Sequence, residues 1–115
     1  MMSQQYKVGI SQQAEQSMNE IANYIAFQLM EPKIASNWIR LINDKIQKLN
    51  FMPERIQLTP ESPWHETGIH RMSVKNFYVY FWINEEHRKV QIIDVTYSKR
   101  DQVKLLETMP LDDER

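Results

Sequence analysis

A chain of 115 residues, 42% hydrophobic and 25% charged, has the make-up of one folded domain over 1–115 with a single core, which excludes wholesale disorder. It has no cysteine and a net charge of −1, which excludes a disulfide framework, a thiolate metal site and the broad basic excess of a general nucleic-acid binder. No apolar run approaches the roughly 20 residues of a membrane span and no basic-then-apolar leader opens the chain, so no membrane partner and a cytoplasmic location are expected.

In chain order, residues 6–10 alternate apolar and other side chains and predict a short strand. Ser11 stands where a helix N-cap belongs, with Glu15 favouring the positive end of the helix that follows. Ala14, Met18, Ile21, Ala22, Ile25 and Leu29 form a one-sided stripe, predicting a helix over 11–30. Pro32 suits a first helical position. Ala35, Trp38, Ile39, Ile42, Ile46 and Leu49 continue as a second stripe that must stop before Pro53. A link this short between two stripes implies an antiparallel helical hairpin.

Residues 53–68, with three prolines and Gly68, predict a long loop whose Trp64 anchors it onto the core. Three strands follow, over 71–74, 77–83 and 90–97, with joins short enough to force antiparallel pairing. Val103 and Leu106 allow a last short helix within 99–108, and 111–115 reads as a frayed tail. The fold class is therefore α+β, ordered β-α-α-β-β-β: an N-terminal strand, a helical hairpin and a three-stranded antiparallel meander. A hairpin of helices covers one face of such a sheet. The middle strand is nonetheless apolar or aromatic on both parities, Phe77, Val79, Phe81 and Ile83 on one and Tyr78, Tyr80 and Trp82 on the other. The second face thus reads as a partner-binding surface formed by Tyr78, Tyr80 and Trp82.

Basic residues flank this region, Arg71 at its start and Lys99-Arg100 at its end, and seven Lys/Arg against five Asp/Glu over 69–107 give it a mild basic tilt. Arg71 also has a structural reading, in which it pairs with Asp94, the acidic residue inside a predicted strand. The histidines, His65, His70 and His87, lack metal-ligand spacing, so no metal and no cofactor are called for.

The order and spacing of several segments together resemble the RelE/ParE toxins of bacterial type II toxin–antitoxin and plasmid-stabilisation modules. The segments are Ile10-Ser11-x-x-Ala14, Ile21-x-x-Tyr24-Ile25-Ala26, Ala35-x-x-Trp38, Leu49-x-x-x-Pro53-x-Arg55, Arg71-Met72-x-Val74-x-Asn76-Phe77-x-Val79-x-Phe81 and Val95-x-Tyr97-x-Lys99-Arg100-Asp101. The resemblance implies a toxin neutralised by a cognate antitoxin laid across Tyr78, Tyr80 and Trp82. The implied target is DNA gyrase, inhibited by binding, in ParE-like members, or messenger RNA cleaved on the ribosome in RelE-like ones.

Cleavage through a 2′-hydroxyl needs a base, an acid and cations around the phosphorane. Where the nuclease branch places an arginine on the third strand this chain has Tyr78, and where it places a tyrosine after the last strand it has Leu106. Tyr97 stands where many relatives have a histidine, and a tyrosine ordinarily titrates near pH 10, far from the near-neutral value that suits a general base. The resemblance therefore favours gyrase inhibition, with Arg71, Tyr97, Lys99 and Arg100 as target-contact residues. The alternatives are a ribosome-dependent mRNA endoribonuclease using a rearranged set, His70, Arg71, Tyr97 and Arg100, or a non-toxic relative that only binds an antitoxin. The oligomeric state is not legible in the sequence.

Overall fold

The computed structural model describes residues 5–98. Its elements follow the predicted order: β1 (Lys7–Ile10), α1 (Gln12–Asn23), α2 (Pro32–Gln47), β2 (Ile69–Val74), β3 (Phe77–Asn84) and β4 (Lys89–Tyr97). The anticipated helix within 99–108 and the tail at 111–115 lie outside the described residues, as do Lys99 and Arg100.

The four strands form one sheet in the order β1-β4-β3-β2. The two short joins do force antiparallel pairing of β2 with β3 and of β3 with β4. β1 pairs with β4 in parallel, Val8 opposite Val90 and Ile10 opposite Ile92. The turns between strands use left-handed residues, Lys75 at φ 57° and Arg88 at φ 56°, as two-residue and longer hairpin turns commonly require.

β1 stops at Ile10, and there α1 takes over the flank of β4. Ser11 makes the change of direction possible. Its hydroxyl accepts the Ala14 N–H at 3.0 Å, capping the helix, and donates to the Ile93 carbonyl at 2.9 Å, while its own N–H donates to the Ile92 carbonyl at 3.0 Å. One small polar residue therefore satisfies the open end of a helix and the open flank of a strand.

α1 is shorter than its apolar stripe suggested. After Asn23 the backbone widens into a π-turn over Tyr24–Gln28 and ends at Met30, which is left-handed at φ 56°. Pro32 explains the stop, because the residue before a proline is pushed out of the helical region; Glu31 sits at φ −129°, ψ 68°. α2 then runs to Gln47 and tightens into a 3₁₀ turn, Lys48–Asn50, before Met52 and Pro53.

Both helices cover one face of the sheet. Ala14, Met18 and Ile25 from the first arm and Ile34, Ala35, Trp38, Ile42, Ile46 and Leu49 from the second pack on Met72, Val74, Phe77, Val79, Phe81, Val90, Ile92 and Val95. Trp38 is fully buried, with its ring centroid 5.0 Å from that of Phe77.

The 53–68 segment is tied down more firmly than its composition suggested. Residues 57–59 run antiparallel along the outer edge of β2: Arg71 N–H donates to Gln57 O, Leu58 bridges His70, and Thr59 N–H donates to Ile69 O at 2.8 Å. Thr59 is fully buried. This pairing holds the loop and shields the strand edge. The expected anchor, Trp64, is instead 54% exposed, because the backbone pairing already fixes the loop and leaves the indole on the surface.

The packing gives a direct prediction. Ser11→Ala removes the cap and leaves the Ile93 carbonyl without its donor, so it should lower stability by about 1–2 kcal/mol. Urea unfolding should show this loss, whereas Gln13→Ala, on the exposed side of α1, should leave the midpoint nearly unchanged.

Candidate functional site

The face of the sheet turned away from the helices carries the candidate site. Strand register sets its layout: Ile69 lies opposite Trp82, Arg71 opposite Tyr80 and Ser73 opposite Tyr78, and Tyr80 and Tyr78 in turn lie opposite Asp94 and Thr96. Tyr78 and Tyr80 are half-buried and Trp82 is 42% exposed. Alternation along β3 places all three on this face, as the sequence suggested.

Arg71 stands among them with its charge already engaged. Its guanidinium lies 4.0 Å from the centre of the Tyr78 ring, a cation–π distance, and 3.5 Å from Glu61 Oε2. The structural partner is thus Glu61 of the loop and not Asp94, which is held elsewhere. Ser17 Oγ of α1 donates to Asp94 Oδ1 at 2.6 Å, and the Val95 N–H donates to the same oxygen at 2.8 Å. The other oxygen of Glu61 accepts the Thr59 hydroxyl at 2.8 Å and faces the Tyr80 hydroxyl at 3.5 Å.

The loop and the sheet enclose a hollow of about 490 Å³, walled by Trp64, Ile69, Tyr80 and Ile93, with Asp94 and Thr96 on the strand side and Glu61 and Ser62 on the loop side. Ile93 and Asp94 are neighbours in sequence yet line the same hollow. A β-bulge accounts for this: Tyr80 pairs with Asp94 and Phe81 with Ile92, leaving Ile93 unpaired.

The remaining predicted site residues are elsewhere. His70 points to the helix side, stacked on Phe81 with centroids 5.1 Å apart, and its Nδ1–H donates to the Ile56 carbonyl at 2.7 Å. Tyr97 is also on the helix side, packed against Phe77 at 5.2 Å. Neither shares a face with Arg71, so the described members of the set His70, Arg71 and Tyr97 do not converge. Among the described residues no cluster of three His, Asp or Glu could hold a metal ion, and no helix is long and apolar enough to cross a membrane.

Sequence reasoning missed Glu61, Trp64 and Ile93 as parts of this face and misjudged Asp94. Periodicity carried no signal for a loop folding back over the sheet. A run of two β-branched residues before Asp94 was compatible with a bulge but did not require one.

The sequence model of the family described as ParE toxin of type II toxin–antitoxin system, parDE, matches residues 8–102. No curated protein matches. Among solved structures, the chromosomal ParDE toxin–antitoxin system of P. aeruginosa contains a chain that superposes with a TM-score of 0.69 at 15% identity, covering 84% of this chain and all (100%) of that one. The RelBE2 toxin–antitoxin complex of Mycobacterium tuberculosis gives 0.58 at 16% identity, covering 83% and 94%. At these identities the likeness is one of fold.

The Tyr80 phenol is pushed above its ordinary value, chiefly by burial and then by the Glu61 carboxylate. The native state therefore keeps this proton after the unfolded chain, titrating near pH 10, begins to lose it. The associated stability is complete below about pH 10 and is lost as the pH rises through the folded value. Carbon NMR of the tyrosine rings should show Tyr80 titrating late, and Glu61→Gln should move it down towards the ordinary value.

Proposed function

Because the chain belongs to the family of ParE toxins of type II toxin–antitoxin systems, its residues 8–102 matching that family's model, we propose that it inhibits DNA gyrase by binding and that a cognate antitoxin neutralises it in the cytoplasm. The observation that carries the binding mode is the charge arrangement of the open face. Arg71 is compensated by Glu61 and stacked on Tyr78, while Asp94 adds a second carboxylate to the hollow. A messenger-RNA phosphate entering there would meet acids rather than uncompensated cations, and transition-state charge would find little to stabilise it. His70 is committed to a backbone carbonyl on the opposite face, which also speaks against a base poised beside Arg71.

Antitoxin binding is assigned to Tyr78, Tyr80 and Trp82. Aromatic side chains on a rigid strand lose little conformational freedom on binding, and each supplies apolar area at about 25 cal/mol per Å². The similar structures from P. aeruginosa and M. tuberculosis both belong to toxin–antitoxin assemblies, which supports a partner of this class. Target contact is proposed for Arg71 on the open face and for Lys99 and Arg100, which lie outside the described residues, with Tyr97 contributing only through the part of its side chain left accessible beside Phe77.

Expression without antitoxin should arrest growth, and the purified chain should reduce supercoiling by gyrase. Trp82→Ala should weaken antitoxin binding by about tenfold or more while leaving the fold intact, since Trp82 is 42% exposed and lies outside the buried core. Unaffected supercoiling together with codon-positioned transcript ends, lost in Arg71→Ala, would replace this reading with ribosome-dependent endoribonuclease activity. Harmless expression with retained antitoxin binding would identify a non-toxic relative.

A further inference from the structure

The hollow between the loop and β4 has a chemistry distinct from the rest of the face. Its walls are aromatic and aliphatic, Trp64 and Tyr80 with Ile69 and Ile93, and its charged strand-side residue is Asp94. The charges nearby do not cancel. Glu61 is matched by Arg71 at 3.5 Å, whereas both hydrogen bonds to Asp94 fall on Oδ1, leaving Oδ2 without a partner among the described residues. The net charge of the hollow is that of Asp94.

Three classes of occupant can be weighed. A phosphate or carboxylate would be repelled by Asp94, whose charge has no compensating cation among the described residues. A purely apolar side chain would fit the walls but would take an ionised carboxylate out of water with no compensating charge, which is costly. A long cationic side chain satisfies both parts, because its methylenes cover the aliphatic wall while its charged end meets the acid. Between the two such residues, arginine suits the site better. Its planar guanidinium stacks on aromatic rings and bonds a carboxylate through fixed donors, as Arg71 already does beside this hollow with Tyr78 and Glu61.

We propose that the hollow bounded by Trp64, Tyr80, Ile93 and Asp94 is a receptor site for an arginine side chain presented by a partner polypeptide. This rests on reading the open face as a protein-docking surface and specifies what that surface takes. The bulge is what builds it, since only the unpaired Ile93 allows wall and acid to come from consecutive residues. Ser17 and the Val95 N–H hold Oδ1, which leaves Oδ2 as the carboxylate oxygen available to a ligand.

The test uses the full chain and N-acetyl-arginine amide as the probe, with the uncharged isostere N-acetyl-citrulline amide as control, followed by the indole N–H signal of Trp64 in NMR. A saturable shift with the arginine compound is expected, with at least about tenfold weaker binding of the citrulline compound. Asp94→Asn should weaken the arginine compound by a similar factor. Trp64→Ala, a change at an exposed indole that spares the core, should weaken it as well, read from the Tyr80 ring signals. Equal binding of the two compounds, no saturable shift, a shift by inorganic phosphate at lower concentration, or an unchanged affinity in both variants would each overturn the proposal. None of these results depends on gyrase or on growth arrest, so failure of the arginine site and failure of the gyrase reading are separately visible.

Discussion

β4 has one residue more than β3 can pair, and the way that residue is held governs much of the molecule. Ile93 falls between the pairs Tyr80–Asp94 and Phe81–Ile92. An unpaired residue inside a ladder leaves backbone groups that must find partners. Ser11 supplies the partner for the Ile93 carbonyl and at the same time starts α1. The end of β1, the beginning of the helical hairpin and the bulge in β4 are therefore a single hydrogen-bonded junction. Beyond it α1 lies beside β4, close enough for Ser17 to reach Asp94.

That junction also separates two differently built faces. On the helix side Phe77, Val79 and Phe81 alternate strictly along β3, while on β4 the bulge shifts the parity so that Val90, Ile92 and Val95 are the residues buried. On the other side the ladder is broken by the bulge and overlaid by the loop. Glu61 there meets three partners, Thr59 of its own loop, Tyr80 of β3 and Arg71 of β2. The loop is long because it has two tasks, closing the β2 edge with residues 57–59 and then crossing to the open face with Glu61 and Trp64. Packing fixes one face, and polar and ionic contacts fix the other. The second kind of contact is the more easily rearranged by a partner.

The legibility of this chain in its sequence follows the same division. Helices and antiparallel strands were readable because each is local: the stripes from Ala14 and from Ala35, the parity of Phe77–Ile83 and the short joins all act within a few residues. The parallel pairing of β1 with β4 was not readable, since it joins residues some eighty positions apart through a tertiary choice. The π-turn after Asn23 escaped because Ile25 and Leu29 keep helical spacing through it. Arg71 does lie on the open face, as its parity along β2 suggested, but its partner came from the loop, where sequence gives no register. His70 and Tyr97 illustrate the opposite case: parity along β2 already set His70 against Arg71, and the pairing of Tyr97 with Phe77 placed it among the core residues.

The open face therefore bears on how one fold serves different chemistries. A sheet with one side covered by helices presents the other side at fixed spacing, and what that side does depends on the charges it carries. A nuclease needs uncompensated cations there, held apart by rigid supports so that they meet a phosphate. In this chain the cation that alternation delivers, Arg71, is neutralised within the molecule, and the acid delivered by the bulge is left with an oxygen to spare. Reversing that balance would take two coordinated changes, removal of Glu61 from the loop and of Asp94 from the strand, because either alone leaves a carboxylate in the path of the phosphate. Such an arrangement resists conversion to phosphate chemistry, and the aromatic residues around it leave apolar area open on this side of the sheet.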